Sequence, residues 1–405
     1  MTTHDLTPPR LIARARPHGK SSRRLGATLA TLLLLCAAGS HAAAPAIPAP
    51  SIPAPPTINA GSYVLIDFNS GDILAESSAR TRMEPASLTK LMTAYIVFNE
   101  MHNGTLRRDQ PVTISENAWR TQGSRMFVDV NSQVTVEDLL KGMIVQSGND
   151  ATVALAEQVA GSEDAFAGLM NNVAGSLQMK DSHFVNSSGM PDPEHYTTAY
   201  DLALLTRALI ASFPEDYKLY SMREFTYNNI TQHNRNRMLW RDASVDGVKT
   251  GHTDSAGYCL VTSALRDDMR LISVVLRTKS DDARVEETQK LLNYGFRFFE
   301  THRLYGAASA LTTVRVWKGV TEELPLGLTQ DLYVTIPRNQ YQKLNAAMNM
   351  TPTITAPVHK GQQLGTVQVT LDGNNIAERP LVALSEIPEG SFAQRITDEI
   401  RLFFE

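Results

Sequence analysis

The sequence predicts an α/β domain, followed by a smaller all-β domain and a C-terminal amphipathic helix. Three observations support this fold class in a chain of 405 residues, of which 42% are hydrophobic and 20% charged. Strand-like runs at both ends of residues 58–303 enclose long stretches with helical periodicity. Residues 304–388 contain short runs rich in Thr and Val that Gly, Pro, Asn and Asp interrupt. In residues 389–405 the apolar side chains recur on one helical face.

The first 42 residues have the composition of a secretory signal peptide. Six basic residues and one acidic residue, Asp5, accompany an apolar run from Leu25 to Ala38. This run is too short for a membrane span of about 20 residues, and Ser40 and Ala42 suit a cleavage site. We therefore expect residues 1–42 to be a signal peptide that directs export. Residues 43–57, which are mostly Ala and Pro, are expected to form an extended linker.

Charge and histidine usage exclude two classes of function. The formal net charge is −4, and removal of the basic N-terminal segment makes it more negative. Nucleic-acid binding would need a basic surface, so we expect no nucleic-acid partner. His195 and His233 have no carboxylate or Cys at metal-ligand spacing, so we expect neither a metal nor another cofactor.

A hairpin and a helix are predicted at the start of the α/β domain. Residues 62–68 and 73–76 have strand character and flank a turn that contains Gly71. After Pro85 and Ala86, Ser87 begins a run with apolar residues at helical spacing: Leu88, Leu91, Met92, Tyr95 and Phe98. The pattern places Ser87 at the N-terminus of a buried helix and Lys90 on the same face, one turn later.

Two further polar groups follow at element ends. Ser147 and Asn149 interrupt the helical periodicity of residues 134–160, so we expect a turn that presents both side chains inward. Lys249, Thr250 and Gly251 precede strand-like residues 258–265 and 270–276, and residues 286–299 return to helical spacing. Each short motif alone is weak, but their order and their predicted places in the fold favour one active site.

The residues of these motifs together supply the chemistry of an active-serine acyl transferase. A hydroxyl becomes a useful nucleophile when a base lies within hydrogen-bond reach, which the spacing predicts for Ser87 and Lys90. Burial and a second cation, for which Lys249 is a candidate, would lower the pKa of Lys90. Ser147 could relay a proton and Asn149 could position substrate. Lys249 and Thr250 could bind an anionic terminus, while Gly251 allows close backbone approach.

With these motifs in place, the chain resembles the low-molecular-mass penicillin-binding proteins of the D-alanyl-D-alanine carboxypeptidase type, peptidase family S11. The likeness runs from about residue 58 to the terminal helix. Beyond the three motifs it includes residues 84–86, 200–203, 234–236, 239–240 and 246–253. The resemblance implies a β-lactamase/transpeptidase-like catalytic domain, a β-rich second domain and a C-terminal helix on the outer face of the inner membrane.

The resemblance also implies a role for each motif residue. Ser87 would be acylated with Lys90 as its base, and Ser147 and Asn149 would form the second family motif. Lys249 and Thr250 would bind the substrate carboxylate, next to Gly251. The backbone N–H groups of Ser87 and His252 would hold the oxyanion, and Arg284 would be an additional carboxylate ligand. Peptidoglycan pentapeptide stems are the implied substrate, and β-lactams are the implied covalent inhibitors.

Three alternatives share parts of this pattern. A class A β-lactamase needs a deacylating Glu soon after the second motif, whereas Glu224 lies far along the chain and is expected on a surface strand or loop. A D,D-endopeptidase that cuts peptide crosslinks stays open, although such relatives usually lack the β domain and the helix. A non-catalytic wall-binding scaffold is disfavoured because Ser87, Lys90, Ser147 and Lys249 are all present.

The terminal helix is expected to attach the protein peripherally to the membrane. Phe392, Ile396, Ile400 and Phe403 share one helical face. Two arginines face four acidic residues in positions 389–405, so attraction to anionic lipid would be weak. Insertion of the apolar face would therefore supply most of the binding, and packing of this face on the β domain is the alternative.

Overall fold

The computed structural model describes residues 11–14 and 52–404. The rest of the predicted signal peptide, and the predicted linker as far as residue 51, lie outside the described residues. Contacts within the chain define two compact units. One comprises residues 55–301, and the other comprises residues 302–404 with the described N-terminal residues up to 54.

An antiparallel five-stranded sheet forms the centre of the first unit, in the order β3-β2-β10-β9-β8. Its strands are β2 (Ser62–Asp67), β3 (Ile73–Ser77), β8 (Val245–Thr253), β9 (Gly257–Arg266) and β10 (Met269–Thr278). The predicted first hairpin is therefore confirmed as β2 paired with β3. Two small two-stranded sheets accompany this sheet: β4 (Pro111–Thr113) with β5 (Gln133–Thr135), and β6 (Glu224–Tyr227) with β7 (Ile230–His233).

Helices cover both faces of this sheet. The described helices of the unit are α1 (Lys90–His102), α2 (Glu116–Arg120), α3 (Val136–Lys141), α4 (Asn149–Ala160), α5 (Glu163–Ser176), α6 (Ala199–Ser212), α7 (Pro214–Tyr217), α8 (Met238–Arg241) and α9 (Asp281–Phe298). Val64 and Ile272 belong to the core that α1 and α6 share. The neighbouring residues Leu65 and Leu271 point to the other face of the sheet. They pack closely against Gly295 of α9, where a Cβ atom would clash with both. The sheet flanked by helices agrees with the predicted α/β class.

The second unit is rich in β-structure, as the sequence predicts. Its larger sheet has the order β1-β15-β17-β18-β13-β12-β16, and β11 pairs with β14. The strands are β1 (Leu11–Arg14), β11 (Phe299–Tyr305), β12 (Ala310–Trp317), β13 (Glu323–Gly327), β14 (Leu332–Pro337), β15 (Leu344–Met350), β16 (Ile354–Thr355), β17 (Gln363–Leu371) and β18 (Asn374–Ala383). Alternating residues, such as Val334 and Ile336 of β14, fill its separate core.

The terminal helix α10 (Phe392–Phe404) docks on the β unit through its polar side. Asp398 is buried, and its carboxylate accepts a hydrogen bond from the backbone N–H of Lys318 at 2.7 Å. The ammonium of Lys318 pairs with Glu399. The apolar side chains of the helix are exposed, including Phe392 at 72% and Phe403 at 86%, although Phe392 and Ile396 also line a pocket with Thr355 and Ala356 of the β unit. Over the described part of the chain, helices that combine the length and hydropathy of a membrane span are absent.

Candidate active site

Ser87 and Lys90 lie next to each other at the start of α1. Pro85 leads into a short 3-10 turn over Ala86–Thr89, and α1 continues from Lys90. The Nζ atom of Lys90 lies 3.0 Å from the Oγ atom of Ser87. Ser87 is partly exposed at a cavity wall, whereas Lys90 is 1% exposed. The expected contact across one helical turn is therefore present in the structure.

The surroundings of Lys90 suit a base rather than a cation. Besides Ser87, its amine contacts Asn149 Oδ1 at 2.7 Å and the carbonyl oxygen of Ser188 at 2.6 Å. Burial, aided by the charge of Arg235, lowers the pKa of Lys90 from 10.5 to about 7. A neutral amine has two N–H donors and one lone pair. When Asn149 and Ser188 accept the two donors, the lone pair is left for the Ser87 hydroxyl.

The second motif lies at a break between helical segments. A π-helical turn, Gly142–Gln146, ends at Ser147, which adopts the left-handed conformation with φ 68°. This conformation is uncommon for a residue with a Cβ and occurs often at functional sites. The Ser147 hydroxyl is buried, lines the cavity that Ser87 lines, and has no hydrogen-bond partner among the described residues.

Asn149 is more enclosed than a substrate-positioning residue needs to be. Its Oδ1 atom accepts from Lys90, while Nδ2 donates to the carbonyl oxygen of Gln122 at 2.6 Å. Its backbone N–H donates to the carbonyl oxygen of Ser124 at 2.7 Å. These bonds join Lys90 to the loop that carries Gly123 and Ser124, which both line the cavity. The structure thus connects Asn149 primarily to Lys90 and to the cavity wall.

The third motif lies on β8, beside the turn that carries Ser87. Lys249 is buried, and its amine donates to the carbonyl oxygen of Thr250 at 3.1 Å. Burial and the charges of Lys90, Arg235 and Arg284 hold the pKa of Lys249 well below its usual range. A Cβ on Gly251 would lie 2.9 Å from the carbonyl oxygen of Pro85. Gly251 therefore allows β8 to approach the Ser87 turn, in addition to the expected approach of substrate.

His252 and Arg284 both lie at the cavity, in different ways. The exposed His252 ring packs against Tyr258 with 4.0 Å between ring centroids. Arg284 is buried in the first turn of α9, whereas the sequence pattern placed it before a helix that begins at residue 286. The helix starts earlier because Ser280 caps it, accepting from the N–H of Ala283. The Arg284 guanidinium donates to the carbonyl oxygens of Gly251 and Cys259 and pairs with Asp281.

One cavity of about 430 Å³ brings most of these residues together. Its lining comprises Ser87, Gly123, Ser124, Ser147, Arg235, Thr250, Gly251, His252, Tyr258, Asp281 and Arg284. Lys90, Asn149 and Lys249 lie behind this surface and act on it through their contacts and charge. Arg235 belongs to the stretch 234–236 of the family resemblance, from which the sequence predicted no role for its side chain. Among the described residues it forms neither a hydrogen bond nor an ion pair, so its charge is available to a ligand.

Asp150 is a second residue that the sequence reasoning missed. It is completely buried, and its carboxylate accepts hydrogen bonds from the backbone N–H groups of Met126, Phe127 and Val128 at 2.9, 2.9 and 3.4 Å. These bonds fix the loop that follows Ser124. The sequence signal for such a role was its position, because Asp150 is an acidic residue that directly follows the second motif at the start of a helix.

Glu224 lies outside the catalytic cavity. It is exposed on β6, and its carboxylate lies 3.4 Å from Nδ1 of His233. The expectation that Glu224 is a surface residue is therefore confirmed. The cavity itself combines a nucleophile with an amine base and several cations, an arrangement suited to attack on a carbonyl compound that carries a nearby anionic group.

Comparison with known proteins agrees with this arrangement. A family model described as D-alanyl-D-alanine carboxypeptidase, peptidase family S11, matches residues 49–280. A second model, described as penicillin-binding protein 5, C-terminal domain, matches residues 299–389. The two matches cover most of the first unit and most of the β unit, and they leave α10 outside.

Relatives and solved structures give the same family. D-alanyl-D-alanine carboxypeptidase DacA of Escherichia coli K12 is 45% identical over 357 residues, covering 86% of this chain and 89% of the relative. The structure of penicillin binding protein 5 from Haemophilus influenzae matches with a TM-score of 0.80 and 42% identity, covering 83% of this chain and 99% of that one.

A second similar structure contains an antibiotic. Penicillin-binding protein D2 from Listeria monocytogenes, in the ampicillin bound form, matches with a TM-score of 0.55 and 32% identity. The match covers 59% of this chain and 98% of that one. With the serine, the amine base and the cationic cavity in place, the chain belongs to peptidase family S11, the D-alanyl-D-alanine carboxypeptidases.

Proposed function

We propose that Ser87 is the residue acylated when the protein removes the terminal D-alanine from peptidoglycan pentapeptide stems. The observation that carries this assignment is the 3.0 Å contact between the Ser87 hydroxyl and the buried amine of Lys90 at the wall of a cationic cavity. A pKa of about 7 leaves a substantial fraction of Lys90 as free amine at neutral pH.

In the acylation step, Lys90 takes the hydroxyl proton while Oγ attacks the carbonyl carbon of the penultimate D-alanine. The negative charge that develops on the carbonyl oxygen would be held by the backbone N–H groups of Ser87 and His252. Collapse of the tetrahedral intermediate breaks the peptide C–N bond and leaves the stem as an ester on Ser87. The departing D-alanine needs one proton on its nitrogen, which Lys90 returns.

Ser147 is suited to carry that proton to the leaving group. Its buried hydroxyl faces the cavity and has no partner among the described residues, so both its donor and its acceptor capacity remain for this task. Asn149 supports the step indirectly, because its bond to Lys90 directs the lone pair of the neutral amine. Water then attacks the ester with Lys90 again as base, and the tetrapeptide stem is released.

The terminal carboxylate of the substrate would bind to the cations at the other end of the cavity. Arg235 and Thr250 line the cavity, and Arg284 is fixed behind them by two backbone carbonyl oxygens. A guanidinium binds a carboxylate through two parallel hydrogen bonds, which suits Arg235. Burial and the neighbouring charges of Lys90, Arg235 and Arg284 lower the pKa of Lys249, and an incoming carboxylate would favour its protonated form.

β-Lactams would acylate the same serine. Opening of the lactam ring leaves the former leaving group attached to the acyl chain, so it stays in the cavity and hinders the approach of water. The ampicillin bound form of the Listeria relative supports this expectation.

We further propose that residues 1–42 direct export and that α10 attaches the mature protein to the outer face of the inner membrane. The exposed apolar side of α10, with Phe392, Phe403 and Phe404, supports attachment. Asp398 holds the polar side of the helix on the β unit, while the side chains of Phe403 and Phe404 remain exposed.

Release of D-alanine from diacetyl-Lys-D-Ala-D-Ala tests the proposed activity and the assigned serine together. The wild-type protein should release D-alanine, and penicillin should block release while adding its mass to the peptide that contains Ser87. Ser87→Ala should do neither, with Ser70→Ala, on the turn between β2 and β3, as the control. A covalent penicillin adduct in Ser87→Ala would contradict the assignment.

A further inference from the structure

A second groove lies beside the catalytic cavity and has a different chemical character. It is an open groove of about 680 Å³, lined by His233, Arg237, Trp240 and Arg241. Trp240 is 47% exposed, a high value for the largest apolar side chain. Arg241 is exposed and forms no hydrogen bond or ion pair within residues 52–404. An aromatic face and an unpaired cation are therefore both open to a ligand.

The groove and the catalytic cavity share a wall. Arg237 lines the groove, and its guanidinium contacts Asp281 at 2.9 Å and Asp282 at 2.5 Å. Asp281 lines the catalytic cavity and pairs with Arg284. The two hollows are thus separated by a single ion-paired layer.

The turn before α8 fixes the residues of both hollows. The Asn234 side chain accepts from the N–H of Asn236 at 2.9 Å, and the Asn236 side chain accepts from the N–H of Met238 at 3.1 Å. Both Asn residues are buried. The turn therefore fixes the position of Arg235, at the catalytic cavity, relative to Arg237, at the groove. Trp240 follows one turn later and is flanked by the guanidinium of Arg223 at 5.9 Å from its ring.

The position of the groove restricts what can occupy it. In the proposed function, on which this inference rests, the scissile stem ends with its carboxylate at Arg235 and Arg284. The paired side chains of Arg237 and Asp281 lie between that cavity and the groove, so a peptide that fills the cavity does not extend into the groove. An occupant must be a separate part of the substrate polymer.

Peptidoglycan offers one segment with the matching chemistry. Its glycan consists of N-acetylated sugars, whose C–H faces pack on the electron-rich face of an indole, and its stems carry free carboxylates that pair with arginine. We propose that the groove of His233, Arg237, Trp240 and Arg241 binds the sugar–peptide junction of a neighbouring strand. The sugar ring stacks on Trp240 and a stem carboxylate binds Arg241.

Such a site would favour polymeric over soluble substrate. Binding a neighbouring strand raises the effective concentration of stems at Ser87 without any change in the catalytic cavity. A short peptide that fills only the cavity gains nothing from it.

The test compares two substrates for Trp240→Ala and Arg241→Ala. D-Alanine release from pentapeptide-rich sacculi should fall about tenfold, which corresponds to about 1.4 kcal/mol of binding free energy. Release from diacetyl-Lys-D-Ala-D-Ala should stay within about twofold, as expected for a surface change away from the reacting atoms. Trp240→Phe, which keeps an aromatic face, should recover most of the loss. Lys180→Ala, at an exposed cation outside the groove, is the control.

Two results would overturn the proposal: an unchanged rate on sacculi, or equal losses on both substrates. A binding measurement separates this inference from the proposed function. Ser87→Ala protein should sediment with sacculi, and Ser87→Ala/Trp240→Ala protein should sediment about tenfold less. Equal retention on a carboxylated polysaccharide without aminosugars would also contradict the proposal, since it would indicate general polyanion binding. If the wild-type protein released no D-alanine from either substrate, the proposed function would fail, whereas the sedimentation result would still decide the groove.

Discussion

The catalytic cavity and the helix α10 depart from the usual distribution of side chains in opposite directions. At the cavity, the amines of Lys90 and Lys249 are buried, although lysine is rarely buried. On α10, the apolar side chains of Phe392 and Phe403 are exposed. Burial of the lysines and exposure of the phenylalanines each cost free energy in the isolated protein. A substrate anion can reduce this cost at the cavity, and a membrane surface can reduce it on α10. The comparison indicates that both regions are shaped for a partner.

Both regions are nevertheless held rigidly by polar contacts. Lys90 is fixed by Asn149 and Ser188, while α10 is fixed by the bond between Asp398 and the N–H of Lys318. This fixation lowers the entropic cost of binding, because the interacting groups are already oriented. The two regions differ in what changes upon binding: proton transfer in the cavity, and burial of apolar surface on the helix.

The largest expected effect concerns the buried amine. Lys90→Met keeps the length of the side chain but removes the base, so acylation of Ser87 should slow by about 10²–10⁴-fold. Lys90→Arg should be equally slow, because a guanidinium stays protonated. The measurement is the rate of penicillin adduct formation by intact-protein mass spectrometry. Lys180→Met provides the surface control, and more than a tenth of the wild-type rate in Lys90→Met would show that another group is the base.

The next effect concerns the exposed apolar side of α10. Phe392→Asp combined with Ile396→Asp removes two side chains whose burial in lipid contributes about 1.5–3 kcal/mol each, so vesicle binding should fall at least about a hundredfold. The measurement is the fraction of protein that sediments with vesicles of phosphatidylethanolamine and phosphatidylglycerol. Leu169→Asp changes an exposed apolar residue of α5 and should bind like the wild type. Undiminished binding of the double variant would argue that α10 is not the anchor.

A smaller effect is expected at Arg235, the unpaired cation of the cavity. Arg235→Ala should lower kcat/KM for diacetyl-Lys-D-Ala-D-Ala by about 10–100-fold, because a charged hydrogen bond contributes about 1.5–3 kcal/mol. The corresponding C-terminal amide lacks the carboxylate. At a pH well above the pKa of Lys90, where loss of the Arg235 charge no longer changes the protonation of that amine, the variant should change turnover of the amide little. Arg297→Ala, at an exposed position of α9, is the control. Equal losses on acid and amide would remove Arg235 from the carboxylate site.

The sequence predicted those parts of the active site that local spacing determines. Ser87 and Lys90 are three residues apart, so a helical turn alone brings them together, and Ser147 lies at the expected break. Likewise, Phe392 and Ile396 share a face through helical periodicity. In both regions, the sequence predicted the relative positions of residues that lie within one helix, because helical periodicity determines them.

The missed features depend on contacts between distant segments. Arg235 gains its importance from β8 and α9, which place Lys249 and Arg284 nearby, and the carboxylate of Asp150 bonds to a loop more than 20 residues earlier. The sequence also contained no sign that Gly251 lies against the Ser87 turn, because these two segments are far apart in the chain. In the β unit, β13, β15 and β18 were not individually predicted, because sheet pairing rather than local pattern defines such strands.

The pH dependence of Ser87 acylation by benzylpenicillin tests most directly whether Lys90 is the base. The free amine is the active form, and burial lowers its pKa to about 7. The rate should therefore rise about tenfold per pH unit below that value and level off above it. A rate independent of pH between about 5 and 9, or one that rises only near the ordinary lysine value of 10.5, would contradict the account.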